Sequence, residues 1–335
     1  MTPAAAPPTL DVVAVGNALV DVLSAATDEF LAEQGLYKGA TALIDAERAR
    51  ALYERMGPGT EMSGGSAANT AVGVASLGGR SAFVGRVRDD LLGEVFAHDI
   101  RAAGVRFETR PATTGDPTGR SLVLVSPDAE RTMNTFLGAA AQLHPDDVSP
   151  ALVAAAAVVY LEGYLFDLPD AKAAFRHAAR AAHEAGRRVA LSLSDTFCVE
   201  RHRADLLALV QHDVDLLFAN EAEICALYEV PTLDDAIEPA VRYCDAAALT
   251  RGAKGSVVVS RDELVEVPVH PVPGSVVDTT GAGDLYAAGF LFGFTHGSDL
   301  ARCGRLGAVA ASEVISHLGG RPERPLAELA APLLR

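Results

Sequence analysis

One short stretch, Asp-Thr-Thr-Gly-Ala-Gly-Asp at 278–284, combines residue types that suit the transfer of an anionic group. The backbone amides of Gly281, Ala282 and Gly283 are expected to point outward at a helix start, where free amides and the helix dipole favour an anionic oxygen. Asp284 places a carboxylate beside that anion site. Phosphoryl transfer to a hydroxyl needs both parts, one to hold the phosphate charge and one to take the proton.

The flanks of this stretch predict the elements that position it. Val276 and Val277 are expected to end a buried strand, and the apolar residues of 285–294 have helical spacing. Gly281 and Gly283 permit the sharp turn between strand and helix. Taken alone, either feature is also explained by a helix cap or by an ordinary tight turn.

Length and composition limit the class of protein. With 335 residues, 49% hydrophobic and 21% charged, the chain is expected to be globular, as one large domain or two smaller ones. The net charge of -16 argues against nucleic-acid binding, which needs a basic surface. It also requires an anionic nucleotide to be held by local amides, a few cations and metal.

Targeting signals and cysteine pairs are not expected. Residues 1–10 lack the features of a signal peptide, and the longest apolar run, 151–161, is shorter than the roughly 18 residues of a membrane span. The cysteines contain no Cys-x-x-Cys, which fits a reducing compartment. The sequence therefore predicts a cytoplasmic protein without a membrane segment. The four cysteines are Cys198, Cys225, Cys244 and Cys303.

The rhythm of predicted elements indicates an α/β fold. From about residue 140, strands and helices alternate, which predicts a parallel sheet covered by helices on both faces. The N-terminal third breaks this rhythm with short extra strands, which are suitable material for a lid. Ligands bind at the carboxyl ends of parallel strands, so Asn17 and Asp21, after the first strand, are candidate substrate contacts. A turn residue and a solvated loop acid are the alternatives for these two positions.

A second glycine-rich helix start lies at Gly64 and Gly65. It opens a helix of small residues that ends near Leu77. Backbone amides there can touch a hydroxylated ligand, and Asn69, one turn in, can both donate and accept hydrogen bonds. Close packing of the helix on the sheet explains the small residues equally well. The chain has neither a dinucleotide-binding glycine fingerprint after its first strand nor a P-loop.

Four separated stretches resemble one family, the ribokinase-like (PfkB-type) kinases of sugars and nucleosides. The stretches 64–69, 220–223 (Asn-x-x-Glu), 250–255 (Thr-x-Gly-x-x-Gly) and 278–284 match its motifs in order, over about residues 11–325. The resemblance implies a three-layer α/β/α unit with a mostly parallel central sheet and a small β-sheet lid. We expect one kinase unit over 11–325, with a lid from about 16–62 and 106–137, and a loose tail at 1–10.

The resemblance also implies roles for individual residues in an ATP-dependent kinase. Asp284 would be the general base, Arg131 would reach the transferring phosphate, and Asp278 would help to hold a monovalent cation such as K⁺. Glu223 would act on Mg²⁺ through water. The nucleotide would be bound by Asn220, Glu223, Thr250, Gly252, Gly255 and Thr279. Sugar hydroxyls would be bound by Asn17, Asp21, Gly64, Gly65 and Asn69.

Finer features are similar to the adenosine-kinase branch of the family. They are the Gly-Asn-x-Leu-x-Asp start at 16–21 and the segment 131–140. Ser66 and Thr70 replace the Lys and Gln that are usual in ribokinase proper. Leu137, Phe197 and Tyr164 (or Leu165) would then form an apolar slot around a purine, with burial in the core as the alternative. Thr280 and Ala18 depart from the residues that are common in this branch, which leaves substrate choice open.

The predicted reaction is ATP-dependent phosphorylation of the 5′-hydroxyl of a ribonucleoside, with adenosine as the first candidate. One alternative is a PfkB-type sugar kinase that acts on fructose, ribose or 2-keto-3-deoxygluconate. A second is a non-catalytic binding protein on the same fold, which the intact Asp284 and Gly281-Ala282-Gly283 disfavour. The expected partners are small molecules, and the protein is expected to be a monomer or a homodimer.

Overall fold

The computed structural model describes residues 7–128 and 130–334. Its strands are β1 (Leu10–Val15), β2 (Leu19–Ala25), β3 (Thr41–Leu43), β4 (Gly59–Gly64), β5 (Ser81–Val84), β6 (Arg106–Phe107), β7 (Gly119–Val125), β8 (Arg131–Phe136), β9 (Ala156–Glu162), β10 (Arg188–Ser192), β11 (Leu216–Asn220), β12 (Ala246–Thr250), β13 (Ser256–Ser260) and β14 (Leu264–Val267). Its α-helices are α1 (Asp28–Glu33), α2 (Ala46–Tyr53), α3 (Ser66–Ser76), α4 (Leu91–Ala102), α5 (Pro150–Ala155), α6 (Pro169–Glu184), α7 (Thr196–His212), α8 (Glu221–Tyr228), α9 (Leu233–Tyr243), α10 (Ala282–Thr295), α11 (Leu300–Val314) and α12 (Leu326–Ala330).

Nine strands form the larger sheet, in the order β14, β13, β12, β11, β10, β9, β1, β5 and β6. All neighbours are parallel except the two hairpin-linked pairs β12–β13 and β13–β14. Every residue of β1 is buried, because helices cover both faces of the sheet. Alternate residues of β1 enter two apolar clusters, Val12 and Ala14 on one face and Val13 and Val15 on the other. This arrangement confirms the predicted three-layer α/β/α fold.

Five strands form a second, smaller sheet, in the order β3, β8, β7, β2 and β4. Strand β2 pairs antiparallel with β4 and parallel with β7, so Asp21 lies between Met62 and Ser121. The lid was predicted from about 16–62 and 106–137. The smaller sheet takes its strands from 19–64 and 119–136, whereas 106–107 form β6 of the larger sheet. Movement of the smaller sheet as a lid stays a prediction.

The expected strand ending at Val276 and Val277 is wrong. Residues 268–281 contain no strand, and the two valine side chains are 57% and 40% exposed. The Val277 amide instead donates to the carbonyl oxygen of Ile315, just after α11, at 2.8 Å. Two adjacent valines are too few to establish the two-residue period of a strand, and the chain here runs past the C-terminal end of α11.

The predicted tail lies mostly outside the described residues. Of residues 1–10, positions 1–6 are not described, and Leu10 is the first residue of β1. Over residues 7–128 and 130–334, no helix is long and apolar enough to cross a membrane.

Helix α10 packs against α3 and α11 at close range. A Cβ added to Gly73 of α3 would lie 2.6 Å from the Cβ of Ala288, and one added to Gly289 would lie 2.3 Å from the carbonyl oxygen of Leu306. The small residues of α3 therefore serve helix packing along most of its length. This packing holds the first turns of α3 and α10 side by side. Residues of the candidate active site lie in these two turns.

Candidate active site

A cavity of about 750 Å³ lies between the carboxyl ends of the parallel strands and the smaller sheet. Elements that are far apart in sequence line it from both sides. Sixteen of the predicted site residues are in its wall: Asn17, Asp21, Gly65, Asn69, Arg131, Leu137, Tyr164, Phe197, Asn220, Glu223, Thr250, Thr279, Gly281, Ala282, Gly283 and Asp284. Gly64, Gly252, Gly255 and Asp278 are not among the residues that line it.

Asp284 lies in the first turn of α10 and is held by two donors from α3. The hydroxyl of Ser66 donates to its Oδ1 at 2.6 Å, and the amide of Asn69 donates to its Oδ2 at 3.0 Å. Burial raises the pKa of Asp284, and these two hydrogen bonds oppose that rise because they stabilise the charged form. The predicted base therefore sits in a desolvated place with uncharged donors on both oxygens.

The start of α10 has the geometry of an anion site. Gly281, the residue before the helix, has φ +78°, and a Cβ on it would lie 2.6 Å from the Cα of Gly320. A Cβ on Gly283 would meet nothing within 4 Å. The amides in the first turn of a helix have no partner inside the helix, so those of Gly283 and Asp284 are open to an anion.

Asp21 reaches the same cavity from β2. Burial raises its pKa to about 6, although Arg321 and Arg131 lower it. Arg321 also donates to the side-chain oxygen of Asn69 at 3.3 Å and pairs with Asp99 at 3.1 Å. Asn69 is therefore held at both ends, between Arg321 and Asp284. The sequence analysis did not find Arg321, because its position depends on a contact with a residue 252 positions away.

Arg131 and Asp278 form a buried ion pair with an Nη1 to Oδ2 distance of 2.9 Å. Their side chains are only 9% and 8% exposed. The Asp278 carboxylate also accepts the backbone amides of Thr280 and Gly319, each at 3.0 Å. Nε and Nη2 of Arg131 are buried without a hydrogen-bond partner, so this side chain has donors free for an anion in the cavity.

Asn220 and Glu223 cap the start of α8 reciprocally. The Glu223 amide donates to the Asn220 side chain at 2.9 Å, and the Asn220 amide donates to the Glu223 carboxylate at 2.9 Å. Burial raises the pKa of Glu223 to about 7. Thr250, at the end of β12, lines the same part of the cavity. These contacts place a carboxylate and a hydroxyl at the predicted nucleotide end.

The predicted glycines outside the cavity wall have either a close contact or, in the case of Gly252, only a positive φ that favours glycine. Gly255 has φ +87°, and a Cβ on it would lie 2.2 Å from the carbonyl oxygen of Val267. Gly252 has φ +56° in the same turn. A Cβ on Gly64 would lie 2.3 Å from the carboxylate of Asp21. Their contribution to nucleotide or sugar binding stays a prediction.

An apolar wall faces the anion site. Tyr164 and Phe197 line it and are 39% and 59% exposed, so burial in the core, the alternative for these two, is wrong. Leu165 is 2% exposed and belongs to the core, so it is wrong as a slot residue. The smaller sheet supplies further apolar side chains that were not predicted, although the alternation of side chains along a strand puts Leu19 and Leu23 on the same face as the predicted site residue of β2. They are Leu19, Leu23, Leu43, Met62, Val123 and Met133.

Glu162 is a further site residue that the sequence analysis missed. It is the last residue of β9, is 1% exposed, and accepts the Asn17 side-chain amide at 2.8 Å and the Ala67 backbone amide at 2.7 Å. Burial raises its pKa to about 7. Glu162 lies at the carboxyl end of a parallel strand, and the same feature predicts Asn17 as a substrate contact.

Direct metal ligands do not cluster in the described residues. Within 7–128 and 130–334, no group of three or more His, Cys, Asp and Glu side chains is placed to hold a metal ion. Glu223 is the predicted metal-linked carboxylate that lines the cavity.

Comparison with known proteins adds three relatives and a family model. The model of the pfkB family carbohydrate kinase matches residues 43–326. A crystal structure of adenosine kinase from Sinorhizobium meliloti is 53% identical, with a TM-score of 0.89 over 96% of this chain and 99% of that chain. A probable sugar kinase protein from Rhizobium etli CFN 42 is 48% identical, with a TM-score of 0.90 over 97% and 99%. Adenosine kinase of Saccharomyces cerevisiae is 29% identical, over 93% of this chain and 96% of its own length.

Proposed function

The chain belongs to the pfkB family of carbohydrate kinases, as an adenosine kinase-like member, and we propose that it phosphorylates the 5′-hydroxyl of a ribonucleoside, adenosine first, with ATP as donor. The observation that carries the proposal is one cavity with two chemically different ends. At one end the Asp284 carboxylate lies beside the open amides of α10. At the other end the smaller sheet presents an apolar wall, which suits a purine base better than a free sugar.

In this proposal each end of the cavity has a separate task. Asp21 and the backbone around Gly65 bind ribose hydroxyls, and Leu137, Tyr164 and Phe197 contact the base. Asp284 accepts the proton of the 5′-hydroxyl as the phosphoryl group moves in line. The open amides of Gly283 and Asp284 and the free nitrogens of Arg131 stabilise the charge on the transferring group, whereas the Ala282 amide, predicted for the same role, donates to the carbonyl oxygen of Thr279 at 3.2 Å.

The expected metal ions differ in how well the residues fit them. Both oxygens of Glu223 accept hydrogen bonds from Asn220, so this cavity-lining carboxylate would act on Mg²⁺ through water, and when bound the ion would neutralise phosphate charge. Asp278 does not fit a monovalent cation in this arrangement, because Arg131 and two amides already engage its carboxylate. Asn220 and Thr250 are positioned to contact the nucleotide.

The first experiment is coupled ADP release from MgATP with a panel of acceptors: adenosine, inosine, guanosine, cytidine, ribose, fructose and 2-keto-3-deoxygluconate. We expect turnover with adenosine at a micromolar KM. Turnover of free sugars alone would favour a sugar kinase, the second candidate, which the likeness to the probable sugar kinase protein of Rhizobium etli supports. Such a result would remove the purine role of the apolar wall.

The role of Asp284 is tested with Asp284→Asn, which keeps the size of the side chain and removes the base. We expect kcat to fall on the order of 10²–10⁴-fold while substrates still bind. Binding is measured by calorimetry with adenosine, so that a folding defect is recognised. Near-normal turnover of this variant would exclude Asp284 as the general base.

A further inference from the structure

We propose that Ser66 is a positioning residue for the base: its hydroxyl fixes one oxygen of the Asp284 carboxylate and stabilises the negative charge that the transfer step requires. The inference rests on the proposed role of Asp284. In the sequence alone, Ser66 is distinguished only as a departure from the Lys that is usual in ribokinase proper.

The contact has the geometry of a hydrogen bond to a charged acceptor. The Ser66 Oγ to Asp284 Oδ1 distance is 2.6 Å, within the range of O–H···O⁻ bonds. Asn69, three residues later on the same face of α3, donates to the other carboxylate oxygen at 3.0 Å. A carboxylate has about four acceptor sites, so an acceptor hydroxyl can still bind Asp284 with both donors in place.

The first turn of α3 is itself fixed, which leaves the Ser66 hydroxyl little freedom. Gly65 has φ +102°, and a Cβ on it would lie 2.2 Å from the carbonyl oxygen of Asn17. The Ala67 amide donates to buried Glu162 at 2.7 Å. Because both neighbours of Ser66 are anchored, the hydroxyl is held at the carboxylate by the fold.

Thr70 ties the two helices together without touching the carboxylate. Its hydroxyl lies 3.1 Å from the backbone oxygen of Ser66 and 3.2 Å from the backbone oxygen of Asp284. It is therefore a matched control, because it is a hydroxyl one helical turn from Ser66 that contacts only the main chain of the base.

The surrounding charges make an uncharged donor important. Carboxylates of Asp21 on β2 and Glu162 on β9 interact unfavourably with ionised Asp284. Among the described residues no cationic side chain hydrogen-bonds to or pairs with Asp284, and the nearby arginines act on Asp21 instead. Among side chains, stabilisation of the charged base then falls to Ser66 and Asn69. The titratable and charged groups around the site are Asp21, Arg131, Tyr160, Glu162, Tyr164 and Arg321.

The activity test compares Ser66→Ala, Ser66→Thr and Thr70→Val through the pH dependence of kcat/KM for adenosine. Loss of a hydrogen bond to the charged carboxylate favours its protonated form. We therefore expect the acidic limb of the pH profile of kcat/KM to lie about one pH unit higher in Ser66→Ala than in the wild type. Its kcat/KM should then fall about tenfold on that limb and approach the wild-type value at high pH. Ser66→Thr should restore the wild-type midpoint, and Thr70→Val should keep it. A fall of Ser66→Ala by the same factor at every pH would overturn the proposal.

A direct titration separates this inference from the proposed function. The ¹³C carboxyl signal of Asp284 is identified by its loss in Asp284→Asn, and its midpoint is compared between wild type and Ser66→Ala. An unchanged midpoint would overturn the role of Ser66 even where Asp284→Asn is inactive. The opposite result is an active Asp284→Asn together with a shifted Asp284 midpoint in Ser66→Ala. It would exclude Asp284 as the base and Ser66 as a residue that acts in the reaction, but the hydrogen bond from Ser66 to the carboxylate would still be established.

Discussion

Single residues in the 278–284 turn are glycine for different physical reasons. Gly281 has a positive φ, and a Cβ on it would approach backbone atoms of Gly320 to between 2.6 and 3.0 Å. Gly283 lies inside α10, and a Cβ on it would meet nothing within 4 Å. The fold therefore requires glycine at 281, whereas no contact within the protein requires glycine at 283, as expected if the proposed phosphate approaches the helix start there.

The pair Gly281→Ala and Gly283→Ala tests this distinction. We expect Gly281→Ala to lower the free energy of unfolding by about 1–3 kcal/mol, because of backbone strain and the contact with Gly320. Gly283→Ala should leave stability unchanged or raise it by about 0.5–1 kcal/mol, since alanine favours a helix. Its methyl group would obstruct the amides, so kcat/KM for MgATP should fall on the order of tenfold or more.

The measurements are urea denaturation and steady-state kinetics on the same preparations. Gly283→Ala with a wild-type kcat/KM would show that the amides at the start of α10 are not approached in the reaction. Gly281→Ala with wild-type stability would show that the main chain at Gly320 can move aside.

At the scale of elements, sequence patterns predicted what is local and missed what depends on tertiary contacts. The alternating strands and helices, the capped helices and the start of α10 follow from spacing and turn residues. Ser66 and Ala67 gain their partners Asp284 and Glu162 from positions 218 and 95 residues away. No local pattern contains such pairings. The strand predicted to end at Val276 and Val277 is the opposite error, because a local pair of apolar residues indicated a buried strand where the chain is exposed.

The Arg131–Asp278 ion pair is a buried polar link between the smaller sheet and the segment before α10, in addition to the apolar packing of β2 and β7 on the body of the protein. Arg131 belongs to β8, and Asp278 lies in the segment before α10. Removal of one partner leaves a buried charge uncompensated, whereas removal of both does not. The pair is thus expected to contribute more to the placement of the smaller sheet than exposed ion pairs such as Arg106–Glu108.

A double-mutant cycle with Arg131→Met and Asp278→Asn measures this link. Each single variant should lose about 3 kcal/mol of unfolding free energy, and the double variant should lose clearly less than the sum. Thermal or urea unfolding gives the coupling energy, with Arg106→Met and Glu108→Gln as the exposed control cycle. Additive losses at 131 and 278 would mean that the two charges are stabilised independently of each other.

At the scale of the whole molecule, two sheets enclose a cavity in a strongly acidic protein, whose net charge is -16. Six carboxylate residues line the cavity against two arginines, and Arg131 and Arg201 are already paired, with Asp278 and Asp167. The carboxylate residues are Asp21, Glu162, Asp167, Asp195, Glu223 and Asp284. An acceptor with its own negative charge would enter against this field, while a neutral nucleoside or sugar would not.

We therefore expect discrimination against anionic acceptors, and expect it to grow with pH. Burial raises the pKa of Asp21 to about 6 and of Glu162 to about 7, so both become more negative between pH 6 and 8. The ratio of kcat/KM for adenosine to that for adenosine 3′-phosphate, a neutral and an anionic acceptor with the same 5′-hydroxyl, should exceed about ten at pH 8 and decrease toward pH 6. Asp21→Asn, which removes one of these charges, should lower the ratio at pH 8 even though it weakens the binding of both acceptors. A ratio near one at pH 8, or one that rises as the pH falls, would show that the arginines and not the carboxylates set the potential at the acceptor.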